Sequence, residues 1–132
     1  MAESRATATD DRPSVLVVED EFALRRLVTI LLGDEGFAVA AAGNGAEALD
    51  AIASRGAPDI ALVDLVMPVL DGRGFLEAAQ RRGYKFPVLL VSASPEAEAV
   101  CAEFRCAGLV AKPYSLDQLV AAMRRALSSC VS

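Results

Sequence analysis

Ser14-Val-Leu-Val-Val-Glu-Asp-Glu21 is the stretch on which the fold turns: a short apolar run rich in β-branched residues that ends abruptly in three acids. Such a run suits a strand buried on both faces, as in a parallel sheet covered by helices. Four more runs of this kind follow, at Phe37–Ala42, Ile60–Val63, Val88–Val91 and Leu109–Ala111. Between and after them, apolar residues recur at helical spacing: Leu24/Leu27/Val28/Leu31, Gly45/Ala48/Leu49/Ile52, Phe75/Ala78/Ala79, Ala97/Val100/Cys101/Phe104 and Leu116/Leu119/Val120/Met123/Leu127. The alternation reads as (βα)5. Right-handed crossovers put helices on both faces of the sheet, so the class is α/β, a three-layer sandwich.

Local punctuation agrees with these boundaries. Gly33 and Gly36 flank the end of helix one, Asn44 and Asp71 are placed to cap helices two and three, Gly56-Ala-Pro58 precedes strand three, Ser94-Pro95 starts helix four and Ser115 caps helix five. Arg81-Arg82 and Arg124-Arg125 are read as cations in last helical turns facing water. Arg25-Arg26 lies too early in helix one for that explanation.

The chain has 132 residues, 54% hydrophobic and 23% charged, which predicts one globular domain over residues 14–129 behind a flexible N-terminal tail, residues 1–13. It contains no histidine, which removes His-ligated zinc, Ser-His-Asp and Cys-His catalysis and histidine phosphorylation within the chain. A net charge of −5 without a basic run gives no electrostatic footprint for nucleic acid. Cys101, Cys106 and Cys130 are odd in number and lack C-x-x-C spacing, so they are read as free thiols of a reducing cytoplasm. Neither a signal peptide nor a membrane-length apolar run is present, and a soluble cytoplasmic protein without membrane insertion is expected.

Ligands of open α/β sheets bind outside the carboxyl ends of the strands. There the sequence puts Glu19-Asp20-Glu21 after strand one, Asp64 after strand three, Ser92-Ala93 after strand four and Lys112-Pro113 after strand five. Converging carboxylates repel unless a cation holds them, and hard oxygen donors suit Mg²⁺. A divalent ion beside a carboxylate, a hydroxyl and an ammonium suits phosphoryl chemistry, which needs charge neutralisation and positioning. Glu21 alone is read as a solvated carboxylate or helix cap, whereas Glu19, Asp20, Asp64, Ser92 and Lys112 are read as one group. Of the 13 basic residues only Lys85 and Lys112 are lysine, and one of them stands at this mouth, where a compact ammonium suits a phosphoryl oxygen.

Val17-Val18-Glu19-Asp20, the segment Asp64-Leu-Val-Met-Pro-Val-Leu-Asp-Gly72, Ser92-Ala93 and Lys112-Pro113, in this order, resemble the receiver domain of two-component response regulators from about Ser14 to Leu127. The resemblance implies a flavodoxin-like sheet of order 2-1-3-4-5. It also implies that Asp64 accepts a phosphoryl group from a phosphohistidine on a histidine kinase or histidine phosphotransfer protein. Asp20, Asp64 and the main-chain carbonyl of Val66 would bind Mg²⁺, with Glu19 acting directly or through water. Lys112 would pair with phosphoryl oxygens, Ser92 would hydrogen-bond them, a cis bond would precede Pro113, and a downstream protein would dock on helix four, strand five and helix five.

The match has departures. Leu109 stands where the family carries an aromatic switch, Ser92 replaces the commoner threonine, and the positions said to tune phosphoryl lifetime are Val66 and Ser94. Apolar Val66 is expected to give attacking water no partner and so to prolong the aspartyl-phosphate. Phe22, Arg25, Arg26 and Thr29 are read as an outward face of helix one that meets the phosphodonor.

Rival readings remain at this point. Gly43-Asn-Gly45-Ala-Glu-Ala48 matches a dinucleotide fingerprint, although it falls on the second strand beside acids that would repel a pyrophosphate. A phosphohydrolase of the haloacid dehalogenase type would need a second acid where Val66 stands. A receiver-shaped module that is never phosphorylated is opposed by Asp64, Asp20 and Lys112 together. The tail and the end soon after helix five are read as favouring a stand-alone regulator over a receiver cut from a longer one. A homodimer through helix four or five is an open alternative, and Cys130 is a candidate for an artefactual disulfide.

Overall fold

The computed structural model describes residues 11–129. Five strands, β1 (Ser14–Val18), β2 (Ala38–Ala42), β3 (Ile60–Asp64), β4 (Val88–Ser92) and β5 (Gly108–Ala111), alternate with five helices, α1 (Phe22–Asp34), α2 (Gly45–Arg55), α3 (Gly72–Arg81), α4 (Ala97–Phe104) and α5 (Leu116–Ser129). All pairings are parallel, in the order β2-β1-β3-β4-β5. The flavodoxin-like (βα)5 architecture is therefore as expected, and the order reverses at β1, beside β3.

Strand side chains alternate between two cores. Leu16, Val18, Ala61, Val63 and Leu90 face α2, α3 and α4, where Ile52, Phe75 and Val100 close the layer. Val15, Val17, Ile60, Leu62 and Leu89 face α1 and α5, where Leu32, Leu119 and Met123 do the same. With both faces covered, period two is hidden in the sequence as a continuous apolar run.

Three helix starts owe their position to side chains. Asn44 Oδ1 accepts from Glu47 N while Glu47 Oε1 accepts from Gly43 N, and at the last helix Ser115 and Gln118 are reciprocal, Ser115 Oγ accepting from Gln118 N and Gln118 Oε1 from Ser115 N. Asp71 Oδ1 accepts from Gly74 N. The start expected at Ser94-Pro95 comes later, at Ala97, with Ser94 Oγ accepting from Glu96 N.

Other expectations are corrected. Phe37 is not in the second strand; it lies just before β2, 1% exposed, its N–H donating to Leu32 O after Gly36 turns the chain at φ 100°. Leu27, expected in the core, is 52% exposed, because α1 is apolar around most of its circumference and its sheet-facing side is set by Val28 and Leu32. Arg124 and Arg125 do not end α5, which continues to Ser129; the Arg124 guanidinium covers the Phe37 ring at 5.2 Å and donates to Glu35 O at 3.4 Å. That stacking shields an aromatic the α1/α5 core needs. Cys130 and most of the expected N-terminal tail lie outside the described residues. No described helix is long and apolar enough to cross a membrane.

Candidate functional site

The carboxyl ends of β1 and β3 are neighbours because Val18 pairs with Val63. Each chain therefore delivers its acid to one place. Glu19 and Asp64 are buried, Asp20 is exposed, and one carboxylate oxygen from each lies within 4.8 Å of the others. From β5, Lys112 Nζ reaches Asp64 Oδ2 at 2.8 Å and Glu19 Oε1 at 3.4 Å. The remaining carboxylate oxygens are held by main chain: Glu21 N donates to Glu19 Oε2 at 3.1 Å and Val66 N donates to Asp64 Oδ1 at 3.2 Å.

This enclosure shifts titrations. Burial, reinforced by the Asp64 charge, raises the Glu19 carboxyl above its ordinary value against the opposing pull of the Glu21 N–H and Lys112. Burial acts to lower the Lys112 ammonium, but its hydrogen bond and charge attraction to Asp64, with those to Glu19, leave it above the ordinary lysine value. Tyr114, half-buried beside them, is raised by burial and by the Glu19 charge. The site is thus a cluster of three acids answered by one ammonium, with negative charge in excess.

The loop from Asp64 to Gly72 is fixed tightly. A Cβ on Gly72 would meet Asp64 O at 2.6 Å and Leu65 Cα at 2.8 Å, so only glycine lets α3 begin this close to the strand end. Val69 has φ 68° and stands between Pro68 O and Leu70 N, which are hydrogen-bonded at 2.8 Å in a γ-turn. A β-branched residue pays strain in that region, and the turn leaves Val69 83% exposed. Leu70 O in turn accepts from Gly45 N at 2.8 Å, where a Cβ would come within 2.7 Å of that oxygen. Gly45 is therefore used for packing against this loop, and Gly43 N is occupied by Glu47. The dinucleotide pattern is accounted for by those contacts.

Ser92 is buried at the end of β4, opposite Ala111 in register, and its Oγ accepts from Ser94 N at 2.8 Å. The Lys112–Pro113 bond is cis. Glu21 is exposed at the N-terminus of α1 without a side-chain cap bond. Arg25 departs from the expected outward face: Nη1 donates to Glu19 O at 2.8 Å and Asp20 O at 3.5 Å, and the guanidinium lies 5.4 Å from the Phe22 ring. It braces the loop that carries the acids. Thr29 Oγ1 is turned to Arg25 O at 2.7 Å. Of the expected outward four, Phe22 and Arg26 are exposed, and they are joined by Leu27 and Ile30. Tyr114 carried no sequence signal beyond closeness to the lysine, and Arg25, out of place early in helix one, carried none that pointed to the carbonyls of Glu19 and Asp20.

A family model described as the response regulator receiver domain matches residues 15–124. The chain belongs to this family. The receiver is 35% identical over 115 residues to the regulatory protein AtoC of Escherichia coli, covering 86% of this chain and 25% of that one. It is 34% identical over 121 residues to the probable transcriptional regulatory protein TcrX of Mycobacterium tuberculosis, covering 89% and 51%. The chemotaxis protein CheY4 of Vibrio cholerae superimposes with a TM-score of 0.79 at 30% identity, over 87% of this receiver and 98% of that chain. The receiver thus spans about a quarter to a half of those two curated relatives. Receiver domains bind Mg²⁺ at an acidic pocket and interact with histidine kinases, and Glu19, Asp20 and Asp64 form such a cluster here.

Proposed function

We propose that this receiver takes a phosphoryl group onto Asp64 from a phosphohistidine of another protein, in the presence of Mg²⁺. The observation that carries the reading is the Asp64 carboxylate, held by Lys112 at 2.8 Å within a cluster of three acids. The donors are hard oxygens without nitrogen or sulfur, which fits Mg²⁺. Asp20, Asp64 and the Val66 carbonyl would hold it, with Glu19 direct or through water. When bound, the ion supplies the charge neutralisation that three acids and an incoming phosphoryl group require.

The chain's own groups supply position. Val66 N–H fixes one Asp64 oxygen, and the other forms the new O–P bond as the P–N bond to imidazole breaks, its electron pair returning to the ring nitrogen. Lys112 is charged throughout the neutral range, and its ammonium follows the charge from carboxylate to phosphoryl oxygen. Ser92 gives up its contact with Ser94 N–H to donate to a phosphoryl oxygen. The donor's histidine has no counterpart in this sequence.

Donor helices have a surface beside the mouth. Phe22, Leu27 and Ile30 are 50–65% exposed on α1, which begins two residues after Asp20. Arg26→Glu combined with Leu27→Asp slows transfer from the cognate phosphodonor protein and leaves labelling by a small acyl phosphate unchanged; equal slowing of both removes this docking face. The phosphorylated form acts by changing partner binding on α4, β5 and α5, or by passing the group onward.

The deciding experiment is incorporation of a phosphoryl group, or of its beryllofluoride mimic, with and without Mg²⁺. Uptake by the wild type that requires Mg²⁺ and is lost in Asp64→Asn supports the reading. Uptake that persists in Asp64→Asn overturns it.

A further inference from the structure

Two cysteines away from the acidic mouth meet at the C-terminal end of α4. Arg105 ends that helix in the left-handed conformation, φ 56° and ψ 47°. Two main-chain bonds then close the turn, Cys106 N to Cys101 O at 3.0 Å and Arg105 N to Ala102 O at 3.4 Å. This is the Schellman arrangement, in which the residue two beyond the helix packs against the residue in its last turn. Those two positions are ordinarily hydrophobic; here both carry thiols. The Cys101 Sγ lies 4.0 Å from Cys106 O, and the two side chains pack against the same core. Both residues are half-buried, so a small oxidant can reach them.

We propose that Cys101 and Cys106 are an oxidation site, closing to an intramolecular disulfide that ties the last turn of α4 to the entry of β5. The oxidant is hydrogen peroxide. The Cys101 thiolate attacks one peroxide oxygen, the O–O bond breaks, and the departing hydroxide takes up the thiol's proton to leave as water, giving a sulfenic acid. The Cys106 sulfur then attacks that sulfur, the S–O bond breaks, and the second hydroxide leaves with the Cys106 proton as water. Two thiols lose two electrons and one peroxide gains them. Burial first, and the neighbouring Cys101 second, push the Cys106 thiol up to about 12, which assigns it the second step rather than the first.

The place of the cross-link gives it a consequence. Cys101, Cys106, Phe104 and Leu109 pack against the same core, and Ala107 N binds Val88 O at 2.8 Å, anchoring the turn to β4. Helix α4 is eight residues long without a side-chain N-cap, so its termini are the natural place for opening. A disulfide around so short a loop removes little chain entropy. Its effect is local: the exit of α4 is held on β5.

The test uses the full chain with Cys130→Ser, leaving only these two of the three thiols. Dilute protein is treated with hydrogen peroxide and read by intact mass and thiol titration. Loss of two hydrogens from the monomer and of both thiols, reversed by dithiothreitol, is expected without a sulfenic acid building up, whereas in denaturing urea dimedone captures at least roughly tenfold more of that intermediate because the fold no longer holds the second sulfur beside the first. Cys106→Ala is expected to stop at a sulfenic acid trapped by dimedone. Equal capture by dimedone in the folded protein and in urea, oxygen retained on one sulfur with the other thiol free, or cross-linked dimers in place of the monomer disulfide would each overturn the proposal. No Mg²⁺ or phosphodonor enters, so a failure here is distinct from a failure of Asp64 to take a phosphoryl group.

Discussion

On the β1 and β3 side of the mouth, a methyl group added at Gly72 would strike the main chain of Asp64 and Leu65, whereas on the β4 and β5 side one added at Gly108 would meet only Leu89 Cδ2, at 3.0 Å. The first flank is set by backbone: Val66 N on Asp64, Glu21 N on Glu19, Leu70 O on Gly45 N, Arg25 beneath the strand-end carbonyls. The second is set by side-chain ends. Ser92 Oγ rests on Ser94 N–H, the Leu109 side chain packs half-buried against the α2, α3 and α4 core, and α4 is joined to α3 by an exposed bridge from Arg73 to Glu103 at 2.7 Å, which water screens. The three clustered acids are placed by a frame that does not yield. The flank proposed to report phosphorylation is held by groups that can change partners.

The comparison breaks most directly at the two glycines. Gly72→Ala forces main chain apart next to Asp64 and is expected to cost about 3 kcal/mol, the upper end for overpacking, because the obstructing atoms are backbone. Gly108→Ala displaces a flexible leucine terminus and also narrows the unfolded chain, so it should fall within about 1 kcal/mol of wild type. Urea unfolding midpoints at equal slope measure both. Similar losses in the two variants would show the flanks to be equally rigid.

Second in size is the ion pair joining the flanks. Lys112→Met leaves Glu19 and Asp64, both buried, without their cation. A lost buried partner costs about 3–5 kcal/mol, and partial solvation of the ammonium reduces that here to about 2 kcal/mol. Saturating Mg²⁺ should restore most of the loss, since it would supply positive charge to the same acidic cluster. The sign with pH follows from Lys112: its folded value is raised above 10.5, so the pair's stabilisation is complete below 10.5 and is lost as pH rises through the raised value. Wild type and Lys112→Met should therefore converge in strongly alkaline solution. A gap that stays constant there would mean that the lysine acts through packing of its stem.

The same contrast explains what could be read in advance. Strand runs and caps at Asn44, Asp71 and Ser115 were legible because each depends on residues close in sequence, and the meeting of Glu19, Asp20, Asp64 and Lys112 followed from parallel strands ending together. Leu27 was misplaced because periodicity cannot choose between faces on a helix apolar nearly all round. Arg124 on Phe37 joins residues far apart in the chain, and nothing near either signals the other. The left-handed Val69 runs against the preference of a β-branched residue, so only the surrounding contacts, Pro68 O with Leu70 N and Leu70 O with Gly45 N, disclose it.

The smallest effect tests chemistry on the rigid flank without moving it. The Val66 N–H is spent on Asp64 Oδ1, while its side chain is 67% exposed at the mouth. An isopropyl group there can neither donate to nor accept from a water approaching phosphorus. In Val66→Asn an amide does both, and the exposed position accommodates it without repacking. Loss of the acid-labile phosphate from Asp64 should quicken roughly threefold, a barrier change of about 0.7 kcal/mol, with the urea midpoint unchanged. If the variant holds its phosphoryl group as long as wild type, the hydrolytic water is positioned from the other flank, and the division between a fixed frame and a responsive side would have to be redrawn at Ser92 and Ser94.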